Sequence, residues 1–516
     1  MKYALLLSAA LCLTLGQAQP ASAQSSPADL VKQAVDALGG ADALRALKTN
    51  VSKGTAKHWE PGQSNSVNGE SRLIGDSNFT LSADIANGIV RVDWDRDLKY
   101  PAVEKSKYSE ITTPTYGAVI DDKGQATPMS GIRLASLQRE LRRGSPALLL
   151  QALASPQNVA ASEDQKLGTQ SYPAAVITMG AFKYTVLFDR SSKLPVAVRT
   201  RESDNIWGDQ NYDMVLSDWT TAGNVKFAKT RSFKLGDLEI QRLSYTDITP
   251  NPTIAPETFA VPDAVKAAAK PPATGNVPYQ WVLRRIFLNR FTDSDAIYFA
   301  PGGSFKLVEL APNVQHVQGG GANNLIVNMK DGLVVVDAPT DEGQSLEVIK
   351  LAKAKYPGKP IKTLVLTHHH MDHTGGTRAF AAEGATVVVP APDKAYFEEV
   401  IKRPHAIEPD AQQKAQKPAN VQEVKDTLSL KDDTVEINLY NIPNPHVDGY
   451  LLVHVVKENV LYVTDLISPR GQIGRNPATV AVGDALRKHN ITNATIAGGH
   501  GAIAKQADIG PALAAN

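Results

Sequence analysis

The six residues His368-His369-His370-Met371-Asp372-His373 carry four imidazoles and a carboxylate, and no other stretch limits the fold as strongly. They follow Ile361-Lys362-Thr363-Leu364-Val365-Leu366, an apolar run behind Pro360 that predicts a buried strand. Gly375-Gly376 permits a tight turn behind them, and Thr377 to Ala382 can begin a helix. The chain must therefore bring a dense set of ligand-type side chains to the end of a strand. Histidine suits zinc and related divalent metals, and aspartate can add an oxygen to the same site. A solvated His-rich loop is the bland alternative; further histidines and aspartates placed after later strands argue against it.

The chain has 516 residues, more than one core accommodates, so two or three domains are expected. Hydrophobic residues at 42% and charged residues at 21% are ordinary for a globular protein. A formal net charge of +1 gives no electrostatic reason to expect nucleic acid or an anionic membrane as partner. Residues 1–23 read as a cleaved signal peptide: Lys2 precedes an apolar stretch from Ala4 to Leu15, and Ala21-Ser22-Ala23 fits a cleavage site. The apolar stretch is too short for a stable membrane anchor, so a periplasmic or secreted protein is expected. Leu11 ahead of Cys12 argues against lipoprotein cleavage there. Cys12 is the only cysteine, so the mature protein would hold neither a disulfide nor a thiolate ligand.

Residues 24–263 form the first expected domain. Ser26-Pro27 opens a helix with Leu30, Val31, Ala34, Val35 and Leu38 on one face, ended by Gly39-Gly40. From Val51 to Val261 short alternating runs such as Tyr184 to Phe188 predict a large antiparallel sheet, with a helix over Leu134 to Leu153. The segment Gly39-Gly40-Ala41-Asp42-Ala43-Leu44, the repeated long strands and the closing Asn251-Pro252 resemble the half-barrel of periplasmic lipoprotein carriers over residues 27 to 262. That resemblance implies an apolar concavity for a lipid or hydrophobic substrate; a structural or dimerising module is the other reading of the same sheet. Residues 264–300 are expected to be a linker and an amphipathic helix. Ala264 to Pro278 has linker composition, and Trp281 to Phe291 carries Arg284, Arg285 and Arg290, suiting a membrane surface or a helix docked between domains. Residues 301–516 alternate strands and helices, including a hairpin of Asn324–Asn328 with Gly332–Asp337, as in an αββα sandwich. The whole is α+β with two domains.

In this last part the chain resembles the metallo-β-lactamase-fold superfamily, with a glyoxalase II-like ligand set. His368, His370, Asp372 and His373 meet the motif His-x-His-x-Asp-His. His446, Asp465 and His500 match its later ligands, each after a strand and in the family's order. The resemblance implies two zinc ions per chain, with iron or manganese as alternative occupants. His368, His370 and His446 would hold the first and Asp372, His373 and His500 the second, with Asp465 bridging them. A hydroxide shared by two ions about 3.5–4 Å apart is a strong nucleophile near neutral pH, and Asp372 is the expected catalytic residue that orients it or takes its proton.

The expectation is an exported dinuclear zinc hydrolase acting on an ester, lactone, thioester or amide carbonyl of a small molecule, with hydrophobic substrates preferred if the first domain contributes a wall. A mononuclear iron oxygenase of the same fold, or a non-catalytic periplasmic carrier or scaffold, are the alternatives. Asp465 in place of a cysteine sets the chain apart from cysteine-ligated β-lactamases. Ser468 occupies the position where those enzymes usually carry lysine and many lactonases tyrosine, leaving Ser468 and Arg470 as candidate substrate contacts. Asp337 is expected to support the motif loop. His316, ahead of Gly319-Gly320-Gly321, reads equally as part of a flap or as a surface histidine. His454 reads as structural, and His58, His405 and His489 receive no role.

Overall fold

The computed structural model describes residues 26–273, 279–288 and 305–515. The expected signal peptide, and the linker segment beyond Leu288, lie outside the described residues.

The first helix, Pro27–Ala37, starts where the sequence placed it. Ser26 and Asp29 form a reciprocal capping box and Pro27 occupies the first turn, where its missing N–H costs nothing. Its buried Val31, Ala34 and Val35 pack with Leu148 and Leu149 and with sheet residues Ile177, Tyr184 and Val186. The sheet is a 13-stranded antiparallel array. The chain enters at the central strand Thr49–Glu60, meanders outward to Ala126–Pro128, crosses through helices to the opposite edge, and meanders back to Leu238–Pro250. That last strand pairs with the first, Thr55 opposite Ser244. The helix expected over Leu134 to Leu153 is two helices, Gly131–Arg143 and Ala147–Ala154. Gly144 and Pro146 interrupt it, as a proline cannot be carried through a helix interior. A cavity of about 580 Å³ lies between sheet and helices, with Leu81, Val92, Leu141, Leu149, Met214 and Phe227 in its wall.

The second domain has two sheets face to face. The first runs from Lys306–Ala311 through the hairpin Asn324–Met329 and Gly332–Val336 to three parallel strands, Ile361–Val365, Thr386–Pro390 and Val421–Val424. The second has six strands, Thr427–Lys431 to Ile503–Lys505. Leu325, Val334, Val336 and Val365 of one meet Ile437, Leu451, Val453 and Tyr462 of the other. The outer face of the first is covered by helices carrying Val348, Phe380 and Phe397, that of the second by Val482 and Leu486 of Pro477–Lys488. Parallel strands buried on both faces require apolar residues at successive positions, which is why Leu333 to Val336 and Val387 to Val389 show no alternation.

The two domains share a core. Ile74 and Leu98 of the large sheet, Ile206 in a turn between two of its strands, and Trp281 pack in one cluster with Leu366, Met371 and Phe380. The helix Tyr279–Leu288 runs between them, with Gln280, Trp281 and Arg284 buried. Its described part therefore docks between domains and does not lie on a membrane surface. Among the described residues no helix is long and apolar enough to cross a membrane.

Asp393, buried ahead of the helix Lys394–Lys402, has its carboxyl pushed up to about 8 by burial and by the neighbouring Asp448. The unfolded chain ionises near 3.8 while the folded protein keeps this proton to about 8, so stability falls as pH rises between those values. The slope is up to about 1.4 kcal/mol per pH unit. Asp393→Asn removes this contribution. Denaturant melts at pH 5 and pH 9 should show a smaller loss of stability with rising pH in the variant than in the parent; equal losses would overturn the assignment.

Candidate metal centre

The motif begins two residues after Leu366, which adjoins the strand Ile361–Val365, and two neighbouring segments set its geometry. Asp337, ending Gly332–Val336, has a left-handed backbone (φ 64°) and a fully buried carboxylate. It accepts from the Thr367 N–H and hydroxyl at 2.9 Å, from the Tyr462 hydroxyl at 3.0 Å, and holds His373 Nδ1 at 3.0 Å. Asp337 thus supports the loop without joining the cluster, as expected. Gly375 and Gly376 do something other than turn the chain. Gly375 is right-handed (φ −57°), and a Cβ there would sit 1.9 Å from the Thr340 carbonyl; one on Gly376 would sit 1.8 Å from Ser345 Oγ. The requirement at both is space, so that the loop packs on the segment after Asp337.

All seven residues singled out from the sequence converge in two groups, His368, His370, His446 and Asp465, and Asp372, His373, Asp465 and His500. Asp465 stands between them, at the end of Val460–Val463 with a left-handed backbone (φ 53°). Its Oδ2 lies 3.1 Å from both His368 Nε2 and His446 Nε2, and its Oδ1 3.1 Å from His500 Nε2 and 3.4 Å from His373 Nε2. Asp372 Oδ2 lies 3.1 Å from His500 Nε2. His368, His370 and His373 are fully enclosed, while the side chains of His446, Asp372 and His500 are 15%, 18% and 20% exposed, so the centre opens past these three.

The donor set fits divalent metal. Nitrogens approach nitrogens: His446 Nε2 to His370 Nδ1 is 3.0 Å and His373 Nε2 to His500 Nε2 is 3.2 Å. Such spacings match roughly the 3.3 Å edge of a tetrahedron with 2.0–2.1 Å metal–nitrogen bonds. The buried Nε2 of His368 also has no hydrogen bond of sound geometry. Electrostatics agree. Burial lowers His368 and His370 and keeps them neutral. Burial also opposes charge on His373 and His500, but the surrounding carboxylates outweigh it. Asp372, Asp465 and Asp337 hold His373 well above its usual range, and Asp465 with Asp372 holds His500 up to about 9. Burial works against the Asp372 and Asp465 carboxylates as well, and the imidazolium of His373 beside them keeps both well below their ordinary range. A site whose carboxylates attract protons onto neighbouring imidazoles attracts divalent cations for the same reason.

The remaining sequence candidates sort clearly. His316 is buried in the strand Val314–Gln318, its Nε2 3.0 Å from the Gly498 carbonyl; burial lowers it to about 4, and it is neither a flap nor a surface residue. His454 bonds Asn459 in the turn that follows its strand, and His489 stacks on Tyr440 at 3.8 Å. Ser468 is half-buried and Arg470 exposed.

Contacts absent from the sequence reading come from the first domain, in the loop after Thr49–Glu60. Gln63 Nε2 donates to Asp372 Oδ1 at 2.6 Å. The Ser64 carbonyl accepts from His369 Nε2 at 3.0 Å and His370 Nε2 at 2.9 Å. Arg72 reaches the His446 carbonyl at 3.4 Å, and the Asp448 N–H donates to the Asn65 carbonyl at 3.0 Å. No local pattern around Gln63 marks it, since its partner lies 309 residues away.

Comparison with known proteins supplies the family context. Residues 317–500 match the family model of the metallo-beta-lactamase superfamily. An alkyl/aryl-sulfatase of Saccharomyces cerevisiae is 32% identical over 82 residues, 16% of this chain and 12% of that protein. The alpha subunit of a 2,4-dinitroanisole O-demethylase of Nocardioides is 24% identical over 143 residues, 28% of this chain and 40% of that one. The chain thus spans less than half the length of these curated relatives. Among solved structures, a metallo-beta-lactamase from Pontibacter korlensis is 18% identical with a TM-score of 0.33, covering 40% of this chain and 97% of its own. One from Hirschia baltica is 19% identical with a TM-score of 0.31, covering 40% and 96%.

Proposed function

We propose, from a C-terminal domain of the metallo-β-lactamase superfamily and a metal-dependent hydrolase of that kind, that the protein is an exported dinuclear zinc enzyme. Its substrate would be a small molecule with a hydrolysable ester, lactone, thioester or amide bond. The observation that carries the reading is Asp465, whose two oxygens face two separate histidine groups. Two divalent ions bound there would supply Lewis acidity and make a shared water acidic enough to act near neutral pH.

The chain's own residues do the rest. His368 and His370 stay neutral and present lone pairs, because burial disfavours their protonated forms. Asp372 sits at the open side with Oδ1 held by Gln63 and Oδ2 towards the second group, where it can orient water or take its proton. The walls behind His368 and His373 are closed, and the centre opens past Asp372, His446 and His500. The likeness to an alkyl/aryl-sulfatase adds sulfate esters to the candidate bonds.

Elemental analysis of the mature protein tests the reading. About two zinc per chain is expected, with hydrolysis of some member of an ester, lactone, thioester, β-lactam and alkyl sulfate panel lost on chelation and restored by zinc. One iron per chain would favour the oxygenase, and no uptake of any metal would overturn the site.

A further inference from the structure

We propose that the metal centre is assembled by both domains, with Gln63 and the Ser64 carbonyl acting as positioning groups that aim Asp372 and His370 at their metals. The inference rests on the reading of the seven residues as ligands and adds what holds two of them in register.

His370 faces the cluster through Nδ1, 3.0 Å from His446 Nε2. A neutral imidazole carries its proton on one nitrogen or the other, and only the unprotonated one can bind metal. The Ser64 carbonyl, 2.9 Å from His370 Nε2, can only accept. It therefore fixes the proton on Nε2 and leaves the Nδ1 lone pair facing inward. The same oxygen takes His369 Nε2 at 3.0 Å, so one carbonyl orients two adjacent rings. Asp372 has the matching problem, with two equivalent oxygens. Gln63 Nε2 occupies Oδ1 at 2.6 Å, which leaves Oδ2 to the second group. The amide of Gln63 is itself oriented, because its Oε1 accepts from the Tyr100 hydroxyl at 2.6 Å. Partners of this kind are typically worth about 10–100-fold in metal affinity.

The loop is held against the motif closely enough for the effect to be specific. Gly62 packs on Met371, the residue between His370 and Asp372, and a Cβ at Gly62 would lie 2.7 Å from Met371 Sδ. Glu60 accepts from the Gly62 N–H at 2.8 Å and fixes the turn. The seven ligands all lie in the second domain, yet the groups that choose the donor atoms of Asp372 and His370 lie more than 300 residues earlier.

The test is graded chelator competition on the full chain with zinc, followed by the absorption spectrum of the cobalt-loaded protein. Gln63→Leu removes the donor at similar size, and Gln63→Glu keeps the shape but cannot donate to a carboxylate. Both should weaken one of the two metals about 10-fold or more while the other and the metal-free melting temperature stay near wild type. Both should alter the cobalt spectrum. Tyr100→Phe should give a smaller change in the same direction. Wild-type affinities and spectra in both Gln63 variants would overturn the proposal while leaving the ligand assignment standing. A parent protein that takes up no metal would overturn both. A lower melting temperature with unchanged metal affinities would make Gln63 a structural contact only, which also overturns it.

Discussion

Asp465→Ala is expected to lower kcat/KM towards any substrate the protein turns over by about three orders of magnitude or more, roughly 4 kcal/mol of transition-state stabilisation. The size follows from its position. One oxygen serves the group of His368, His370 and His446, and the other that of Asp372, His373 and His500. Removing it takes a donor from both and leaves buried imidazoles without the negative charge between them. Elemental analysis should show loss of both metals, and circular dichroism an intact fold. His373→Ala is the discriminating companion. It disturbs only the second group, so about one metal should remain while turnover falls severely. A mononuclear oxygenase would keep most of its activity in that variant. Full activity in both would sink the dinuclear mechanism.

Arg284→Met should destabilise the protein by about 3–5 kcal/mol, the usual result of removing one partner from a buried ion cluster. The Arg284 side chain is 2% exposed; its Nε donates to Glu60 at 3.0 Å and its Nη1 to Asp204 at 2.8 Å. Glu60 and Asp204 belong to different strands of the large sheet, and Arg284 Nη2 also lies 3.4 Å from Met371 Sδ. The substitution would take the compensating charge from two buried carboxylates at the point where the domains meet. Denaturant unfolding measures the loss, and metal retention should weaken with it because Glu60 anchors the loop carrying Gln63. Adding Glu60→Gln and Asp204→Asn should recover much of the stability, since the cost lies in the uncompensated charges. A change below about 1 kcal/mol for Arg284→Met alone would show that water reaches the cluster.

The second domain was legible because its signals are local. The run before Thr367 has the length and apolarity of a buried strand, and Asn324–Met329 with Gly332–Val336 forms the hairpin its sequence suggested. The seven ligand-type residues each follow a strand, and the fold brings those strand ends together. In the first domain, alternation gave the antiparallel sheet but not its extent: thirteen strands in one array depend on the closing pair Thr49–Glu60 with Leu238–Pro250, a contact distant in sequence. His316 was misjudged because a polar residue in a short strand gives no sign that both faces will be covered. The glycines after His373 were read for conformational freedom when the fold uses their lack of a side chain.

Sequence by itself determined the chemistry on offer. Histidines and aspartates at strand ends define a donor set, and periodicity, a property of neighbouring residues, places them on elements. Only the tertiary structure decided which atom of each donor faces inward. That choice depends on groups such as the Ser64 carbonyl, the Gln63 amide and the Asp337 carboxylate, which meet the motif through space. A hydrogen bond senses distance and angle and is blind to separation along the chain, so no local pattern in the sequence records it.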